Sequence, residues 1–562
     1  MDIQRILILL GLAVTSYMLV LAWNEDYGNA PVDPNAGGEI VTQIDTPAQT
    51  LPADIVPVEI PSSASASADD VPTLDESPAQ EPAVVQVMQL IRVKTDVLDI
   101  QINLTGGDIV RVALPAYPAT LETPDIPFLL VDPRNRYVVQ SGLIGPDGTD
   151  KSGQRPTFQA ERDLYELGSA DELTVSLTHT QTGGSEIIKQ FTFRRGDYLV
   201  DLNYDIRNNT AADWRGALYT QIKRDGEEPH SVSDNLMGMQ PYVGGATRSE
   251  SEFYAKLEFD DLEEESYRLT RDAGYMAMVQ HYFVSAWVPR DVDEATFHAR
   301  KLKADDIYLF GFTYPAVTVS PGEAGTLSAQ YYVGPKDQYR LREIAEGLDL
   351  TVDYGFLWWL AQPLFYLLTV MYSVFNNWGV AIIFLTIIVK ALLYPLSAAS
   401  FRSMAKMRKL QPEMVKLKER FGDDRQQFSQ AMMDLYKKEG ANPLGGCFPI
   451  LLQMPVFLAL YWALMESVEL RQAPFYLWIH DLSAMDPYFV LPILMGVSMY
   501  LTQMLQPEPP DPMQAKVFKL MPIMFTFFFL WFPSGLVLYW LVNNILSILQ
   551  QLYVTRQIEK GN

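Results

Sequence analysis

The sequence predicts a polytopic α-helical membrane protein with six transmembrane helices, five of which form a core, joined to a large antiparallel β-sandwich domain outside the membrane. Three observations predict this fold: uncharged stretches of bilayer length, period-two alternation between residues 84 and 335, and a basic loop between two apolar stretches. The chain has 562 residues, is 48% hydrophobic and carries a net charge of -25. Such a chain is too long for one domain and must occupy two environments.

Six apolar segments account for the predicted membrane-spanning part. Most approach or exceed the roughly 20 residues that cross a bilayer as a helix. Asn, Pro and Gly residues divide two longer apolar runs and favour turns there. The predicted spans are residues 6–23, 378–400, 446–466, 487–506, 517–532 and 535–553.

Residues 1–24 are expected to be an uncleaved membrane anchor. Arg5 precedes an apolar core, which would also suit a cleaved signal peptide. However, that core is about 18 residues long, against roughly 7 to 15 in a signal peptide, and residues 21–23 offer no small-x-small cleavage site. Residues 25–83 are rich in Pro, Ala, Ser and Asp, which predicts a disordered linker.

The β-sandwich domain is expected over residues 84–350. Leu173, Val175 and Leu177 alternate with polar residues, and similar strand and turn signals recur along this region. Repeated strand-turn-strand patterns predict a large antiparallel sandwich. Residues 351–376 follow it and predict an amphipathic helix lying in the membrane interface.

The loop between the second and third spans predicts the orientation of the chain. It holds ten basic residues, whereas the loop at residues 466–486 holds one. Because basic loops stay in the cytoplasm, both termini are expected there and residues 25–354 on the opposite side. Residues 401–440 predict a helical hairpin with an apolar stripe, the alternative being a solvated spacer. Its predicted functional basic residues are Arg402, Lys406, Arg408, Lys409, Lys416, Lys418 and Arg420.

Lys390 lies about twelve residues into the second span, near the middle of the bilayer. A cation there costs roughly 2.5 to 3.5 kcal/mol. The cores of the later spans contain no Asp or Glu, so we expect a hydrated cavity around the charge. The alternative is that Lys390 snorkels to the cytoplasmic surface.

Three spans place polar and aromatic residues at four-residue steps, which puts them on one face of a helix. We expect these faces to line the cavity, although polar residues of this kind also serve as interhelical contacts. The three sets are Thr386, Lys390 and Tyr394; Gln453, Phe457 and Tyr461; and Tyr539, Asn543 and Ser547.

Signals for catalysis are poor. The five histidines are scattered, and no metal-binding or phosphate-binding motif is present. We therefore expect no enzyme activity, no catalytic residue, no metal or other cofactor, and no nucleic-acid substrate.

Four short motifs stand out in the C-terminal part of the chain. They are Asn-Pro-Leu-Gly-Gly-Cys-Phe-Pro at residues 442–449, Gln-Met-Pro-Val-Phe-Leu-Ala-Leu-Tyr at 453–461, Phe-Pro-Ser-Gly-Leu at 532–536 and Leu-Tyr-Pro-Leu at 393–396. Together they resemble the YidC/Oxa/Alb family of membrane protein insertases, in the form that Gram-negative bacteria carry. The resemblance is dense over the last 200 residues or so and looser before them. It implies an inner-membrane protein that inserts and folds nascent membrane proteins.

The resemblance also implies an architecture and a site. Residues 377–556 would form a core around a hydrophilic groove, residues 557–562 a cytoplasmic tail, and the sandwich a periplasmic domain less important for insertion. Lys390 stands where the family usually has arginine, keeping the charge without the planar fork. Implied partners are the ribosome, the Sec translocon and the phospholipid bilayer. The implied positions that contact clients are Thr386, Phe457, Met495 and Trp540, and the complete predicted groove adds Lys390, Gln453, Tyr539 and Asn543.

Two other functions compete with insertion. A secondary transporter or channel would use Lys390 as an anion site, and it predicts internal repeats that the five core spans lack. A membrane-anchored periplasmic binding module would leave the polar faces and the basic hairpin unexplained. Deletion of the exported domain would distinguish this module from an insertase.

Overall fold

The computed structural model describes residues 89–150, 155–227, 241–302, 306–421, 424–439, 448–506 and 512–560. The expected anchor and linker lie outside these ranges, as does most of the motif at residues 442–449. The described chain has a β-rich part followed by a helical part, as the sequence predicts.

Two β-sheets make up the β-rich part, called the β-domain below. In chain order the strands are β1 Leu90–Lys94, β2 Asp99–Asn103, β3 Asp108–Pro118, β4 Pro127–Val131, β5 Val138–Ile144, β6 Gln159–Ala160, β7 Leu164–Glu166, β8 Glu172–Thr180, β9 Glu186–Arg194, β10 Leu199–Arg207, β11 Trp214–Asp225, β12 Gly244–Thr247, β13 Ala255–Leu257, β14 Tyr267–Arg271, β15 Met276–Gln280, β16 Phe283–Pro289, β17 Ala295–Leu302, β18 Ile307–Thr313, β19 Val317–Val319 and β20 Ala324–Pro335. One sheet has the order β14-β17-β18-β11-β5-β3-β2-β1-β7, with β4 on β3 and β19 on β11, and the other has the order β13-β12-β15-β16-β20-β10-β9-β8-β6.

Alternating burial along the strands gives the two sheets one hydrophobic core. In β8, Val175 and Leu177 are fully buried, as their spacing predicts. They belong to the same core cluster as Val93 of β1 and Tyr331 of β20. Both sheets therefore contribute to one large core, and smaller clusters of buried residues lie elsewhere in the domain.

The pairing differs from the prediction at one edge. The described strand pairs are antiparallel except β1 with β7, which run parallel with Arg92 opposite Leu164. A parallel pair needs a long crossover, and here strands β2 to β6 provide it. The expectation of a purely antiparallel arrangement is therefore wrong at this edge.

A cluster of charged side chains is buried inside the β-domain. Arg155 forms ion pairs with both Asp108 and Asp150, and all three side chains are at most 7% exposed. Lys189 on β9 is also fully buried beside them. Gly106 provides room for the cluster, because a Cβ atom there would lie 2.5 Å from Arg155 Nε. Its φ of 81° is also one that glycine adopts readily.

Helices follow the β-domain, apart from one short helix within it. They are α1 Phe259–Glu264, α2 Gln338–Ile344, α3 Trp358–Phe375, α4 Trp378–Leu392, α5 Tyr394–Phe421, α6 Arg425–Glu439, α7 Phe448–Glu466, α8 Val490–Met504, α9 Pro512–Phe528 and α10 Ser534–Lys560. Short 3-10 turns are Pro133–Asn135, Leu348–Thr351, Gly355–Leu357, Val468–Leu470 and Phe529–Trp531.

Few of these helices match a full membrane span by themselves. Within the described ranges, Gly355–Phe375 and Ser534–Ile558 are long and apolar enough to cross a membrane, and the bent pair α4 and α5 makes a third. Leu452–Glu466 and Val490–Met504 are apolar but shorter. The six-span arrangement and the interfacial position of α3 stay predictions.

The predicted second span, residues 378–400, is not one straight helix. α4 ends at Leu392, α5 begins at Tyr394, and the two axes differ by 68°. Pro395 explains the break, because it has no N–H to donate and its ring clashes with the carbonyl of Ala391. The first helix of the hairpin, α5, therefore begins at the break.

The apolar stripe of the hairpin is buried, as predicted. Met404, Met407 and Met414 of α5 pack with Tyr436 of α6, and Val554 of α10 belongs to the same cluster. The hairpin thus rests on the end of α10. The seven predicted basic residues of α5 are all exposed.

Candidate functional site

Lys390 lies on α4 inside the helical bundle and is 8% exposed. Its Nζ donates a hydrogen bond to Ser547 Oγ of α10 over 2.7 Å. Among the described residues no Asp or Glu lies within ion-pair distance of it. A buried ammonium with one neutral partner is an unusual arrangement, because buried charges are normally paired.

A chain of polar contacts continues from Ser547. Its hydroxyl donates to Asn543 O over 2.7 Å, within α10. The Asn543 side chain then forms two hydrogen bonds with Gln453 of α7, at 2.6 Å and 3.3 Å. The polar chain therefore joins α4, α10 and α7, which are the three helices whose polar faces the sequence predicts.

Aromatic side chains border the polar chain. The Phe457 ring lies 4.6 Å from the ring of Trp540 and 6.5 Å from that of Tyr539, centroid to centroid. Met495 of α8 is fully buried in the same cluster. The Trp540 Nε1 is buried without a hydrogen-bond partner in the described chain. The site thus combines an apolar wall with hydrogen-bonding groups.

Two predicted positions differ from expectation. Thr386 is buried, but its hydroxyl donates to Ile382 O of its own helix over 2.7 Å. Tyr394 is 41% exposed because it lies beyond the bend at Leu393. Of the other predicted groove positions, Lys390, Gln453 and Asn543 belong to this polar chain. Phe457, Met495, Tyr539 and Trp540 belong to, or pack against, the hydrophobic cluster of the bundle.

A second polar face of α10 is absent from the predicted groove. Asn544 donates to Ser498 Oγ of α8 over 3.0 Å, and Gln551 donates to Leu505 O over 2.9 Å. The seven-residue spacing of Asn544 and Gln551 is a helical signal that a search by four-residue steps does not detect. These bonds hold α8 against α10.

The described part of the chain offers no group of three or more His, Cys, Asp or Glu residues that could hold a metal ion. The groups present are one ammonium, two carboxamides and a hydroxyl. Such groups bind carboxylate and carbonyl oxygens by charge and hydrogen bonding. The site is therefore suited to binding a polar segment of another chain.

Comparisons with known proteins agree with the motifs. A family model described as YidC periplasmic domain matches residues 90–367, and one described as 60Kd inner membrane protein matches residues 370–561. Two relatives are named membrane protein insertase YidC. That of Cellvibrio japonicus (strain Ueda107) is 51% identical over 568 residues, with 100% of each chain covered. That of Stutzerimonas stutzeri (strain A1501) is 50% identical over 570 residues, covering 100% of this chain and 99% of the relative.

The solved structures include a similar one. A crystal structure of an active YidC insertase with the first transmembrane domain resolved is 18% identical, with a TM-score of 0.37. The match covers 83% of this chain and 94% of that chain.

Proposed function

The chain belongs to the YidC family of membrane protein insertases, and from that premise we propose that it inserts nascent membrane proteins through the polar site around Lys390. The observation that carries the proposal is the single hydrogen bond from the buried Lys390 ammonium to the hydroxyl of Ser547. The hydroxyl is a neutral partner that a client's carboxylate can replace, because the carboxylate adds the attraction of an opposite charge to the hydrogen bond. The chain acts on membrane proteins in the inner membrane, and its β-domain is periplasmic.

In this proposal, insertion is driven by the transfer of the client's apolar segment from water into lipid. A polar tail that contacts Lys390 and the Gln453–Asn543 pair avoids part of the cost of crossing hydrocarbon. The client's apolar segment then moves sideways into lipid, where each apolar residue contributes several tenths of a kcal/mol. No nucleotide is needed in this scheme.

The topology and partners belong to the same proposal. We place five helical segments around the groove, a sixth at residues 1–24, and both termini in the cytoplasm. The hairpin then faces the cytoplasm with its basic residues exposed. A basic surface attracts ribosomal RNA and acidic chains, so the hairpin is the proposed ribosome contact, and the Sec translocon is the proposed second partner.

Site-specific photocrosslinking to ribosome-bound nascent chains tests the proposal. A photoreactive residue at Phe457 or Trp540 should crosslink to the client's transmembrane segment during insertion. The matched control is Leu549 of α10, which is 58% exposed and points away from the cluster. Crosslinks of equal yield from Leu549 and Phe457 would contradict a specific groove.

A further inference from the structure

The segment between α7 and α8, residues 467–489, lies at the periplasmic ends of the helices and is called the outer loop below. Arg471 of this loop donates hydrogen bonds to Pro118 O over 2.7 Å and to Ala119 O over 3.1 Å. Both carbonyls lie at the end of β3 or just after it. Since the β-domain is periplasmic, the outer loop is on the periplasmic side as well.

Hydrogen bonds hold the outer loop against the first turns of two helices. Asn377, which caps the start of α4, donates its side-chain N–H to Phe475 O over 3.4 Å. A Cβ atom on Gly379 would overlap the ring of Phe475, so the loop packs closely on α4 there. At the start of α10, Ser534 N donates to Ala484 O over 2.7 Å. The outer loop is therefore fixed at the level in the bilayer where α4 and α10 begin.

Both carboxylates of residues 475–489 are engaged in hydrogen bonds within the outer loop. Asp481 accepts hydrogen bonds from Ser483 N over 2.8 Å and from Ser483 Oγ over 2.6 Å. Asp486 is fully buried and accepts one from Trp478 Nε1 over 3.0 Å. His480 is the only Asp, Glu, Lys, Arg or His residue that is exposed in this range. The exposed face of the loop is therefore mostly uncharged.

Large apolar side chains make up this exposed face. Leu477 is 80% exposed, and Tyr476 and Tyr488 are also exposed. The apolar surface continues along α8 at four-residue steps, which places its members on one side of that helix. They are Phe489, Ile493, Val497 and Leu501, each 37% to 53% exposed. An exposed apolar helix face of an inner-membrane protein contacts lipid, and the outer loop extends this face beyond the end of α8.

The backbone at Leu477 provides a second, independent observation. Its φ is 59°, in the left-handed region that residues other than Gly, Asn and Asp rarely adopt. A hydrogen bond from Phe475 N to Ile479 O over 3.0 Å closes the turn around it. Because the side chain is so exposed, packing within the described chain does not compensate for this conformation. Such a residue indicates a contact with something outside the chain.

The length of α8 leaves room for that contact. α8 has 15 residues and is about 22 Å long, whereas the hydrocarbon core of a bilayer is about 30 Å thick. A helix shorter than the hydrocarbon leaves lipid beyond its end unless other apolar groups fill the difference. The outer loop supplies such groups at the periplasmic end of α8.

We propose that the outer loop binds the periplasmic leaflet of the membrane, with Leu477 inserted among the acyl chains beside α8. Tyr476 and Tyr488 lie at the boundary with the headgroups, where tyrosine places its ring in lipid and its hydroxyl in water. The loop is held on α4 and α10, so its insertion fixes the depth of the whole bundle in the bilayer. This role involves no client and is separate from the proposed insertion function.

Spin labels on the full-length chain in liposomes of phosphatidylethanolamine and phosphatidylglycerol test the proposal. With Cys447→Ser as background, single labels replace Leu477, Val497 of α8, and Leu164 of β7, which is an exposed leucine of the β-domain. Oxygen concentrates in hydrocarbon and a nickel chelate stays in water, so the ratio of their collision rates with a label reports its depth. The ratio should be several-fold higher at Leu477 than at Leu164, and highest at Val497.

A substitution at the loop tip tests the part played by the leucine side chain. Leu477→Asn removes the apolar group and suits the left-handed backbone, so the midpoint of thermal unfolding in detergent should not fall. A label at Tyr488 should nevertheless shift towards water in this variant. Leu477→Met keeps an apolar side chain and is the matched control, in which the label at Tyr488 should keep its native depth.

Three results would overturn the proposal. Equal ratios at Leu477 and Leu164 would place the loop tip in water. A label at Leu477 shielded from both oxygen and nickel would show that protein, such as a second copy of the chain, covers the tip. An unchanged depth at Tyr488 in Leu477→Asn would show that the leucine does not hold the loop in lipid. If that variant fails to fold, a label at Tyr488 beside the native leucine must still give a higher ratio than Leu164. None of these readouts involves a client, so a failure here leaves the proposed insertion function intact.

Discussion

Two buried lysines of this chain have opposite surroundings. Lys189 in the β-domain is fully buried. Its Nζ donates to Gly106 O at 3.1 Å and Ser141 O at 3.2 Å. Lys390 in the bundle is 8% exposed and has one hydroxyl as its partner.

The neighbours of the two lysines explain the difference. Near Lys189, the cation Arg155 forms ion pairs with the carboxylates Asp108 and Asp150, so that two cations face two anions. Near Lys390 the described helices supply no carboxylate. A balanced buried cluster fixes a fold, whereas a solitary buried charge leaves a place for a partner. We therefore propose a structural role for the first lysine and, in line with the proposed function, a client-binding role for the second.

The largest effect, a loss of stability of the β-domain, is expected when the buried charged cluster around Arg155 is broken. Arg155→Leu leaves Asp108 and Asp150 buried without their ion-pair partner, which should destabilise the β-domain by about 3 to 5 kcal/mol. Urea unfolding of the full-length chain, followed by proteolysis of the β-domain, measures this. Arg207→Leu breaks a half-exposed pair with Glu186 and should cost under about 1 kcal/mol. Equal losses in the two variants would reject a specific role for the cluster.

The solitary charge should matter for clients rather than for stability. Lys390→Glu should lower insertion of a client with an acidic tail by roughly tenfold, about 1.4 kcal/mol. Lys390→Arg should keep insertion, because the mechanism needs positive charge and not one donor geometry. The same client with a basic tail is the control. Equal insertion of the acidic client by the Glu variant and the native chain would remove charge attraction from the mechanism.

The burial of Lys189 also predicts how the stability of the β-domain depends on pH. Burial lowers the pKa of Lys189 from 10.5 to about 7, opposed by Asp108 and Asp150 and assisted by Arg155. Between about pH 7 and 10 the unfolded chain therefore binds the proton that the folded chain has lost. Stability rises with pH wherever the unfolded state binds more protons. The β-domain should consequently resist urea better at pH 9 than at pH 7.

Lys189→Met tests the origin of that increase. The variant should show little change in urea midpoint between pH 7 and pH 9, since the titrating group is gone. An increase of native size in the variant would mean that another group is responsible.

The smallest effect on insertion is expected when Ser547, the neutral hydrogen-bond partner of Lys390, is replaced. Ser547→Ala removes one hydrogen bond, worth about 1 kcal/mol, and should leave insertion of an acidic client within a few-fold of the native value. Ser373→Ala on α3 is a control, because that exposed hydroxyl bonds only Val370 O of its own helix. If Ser547→Ala lost as much insertion as Lys390→Glu, the hydroxyl itself would be essential.

Local periodicity accounts for what the sequence predicts well. Val175 and Leu177 face the core because strand side chains alternate. Met404 and Met407 are buried because helix positions three and four apart share a face. The same rule brings Gln453 and Asn543 onto facing sides of two helices.

Contacts between distant segments account for what the sequence did not predict. Lys336 and Glu466 form a buried ion pair between the end of β20 and the end of α7. Nothing near either residue in the sequence indicates this contact, and Glu466 looks simply like the start of a polar loop. The parallel pairing of β1 with β7 depends on how five intervening strands fold. The break at Leu393 did have a local signal, since Pro395 follows it, but the long apolar run concealed that signal.

If the hairpin meets clients, as the proposed function has it, the 68° bend at Leu393 bears on the rate at which a client is found. α5 has 28 residues and is about 42 Å long. It leaves α4 at this angle, and its seven basic residues are exposed along its length. The rate of diffusional encounter grows with the size of the target, and opposite charge increases it further. A basic arm of this length gives an emerging chain a target tens of ångströms across, much wider than the space around a single lysine.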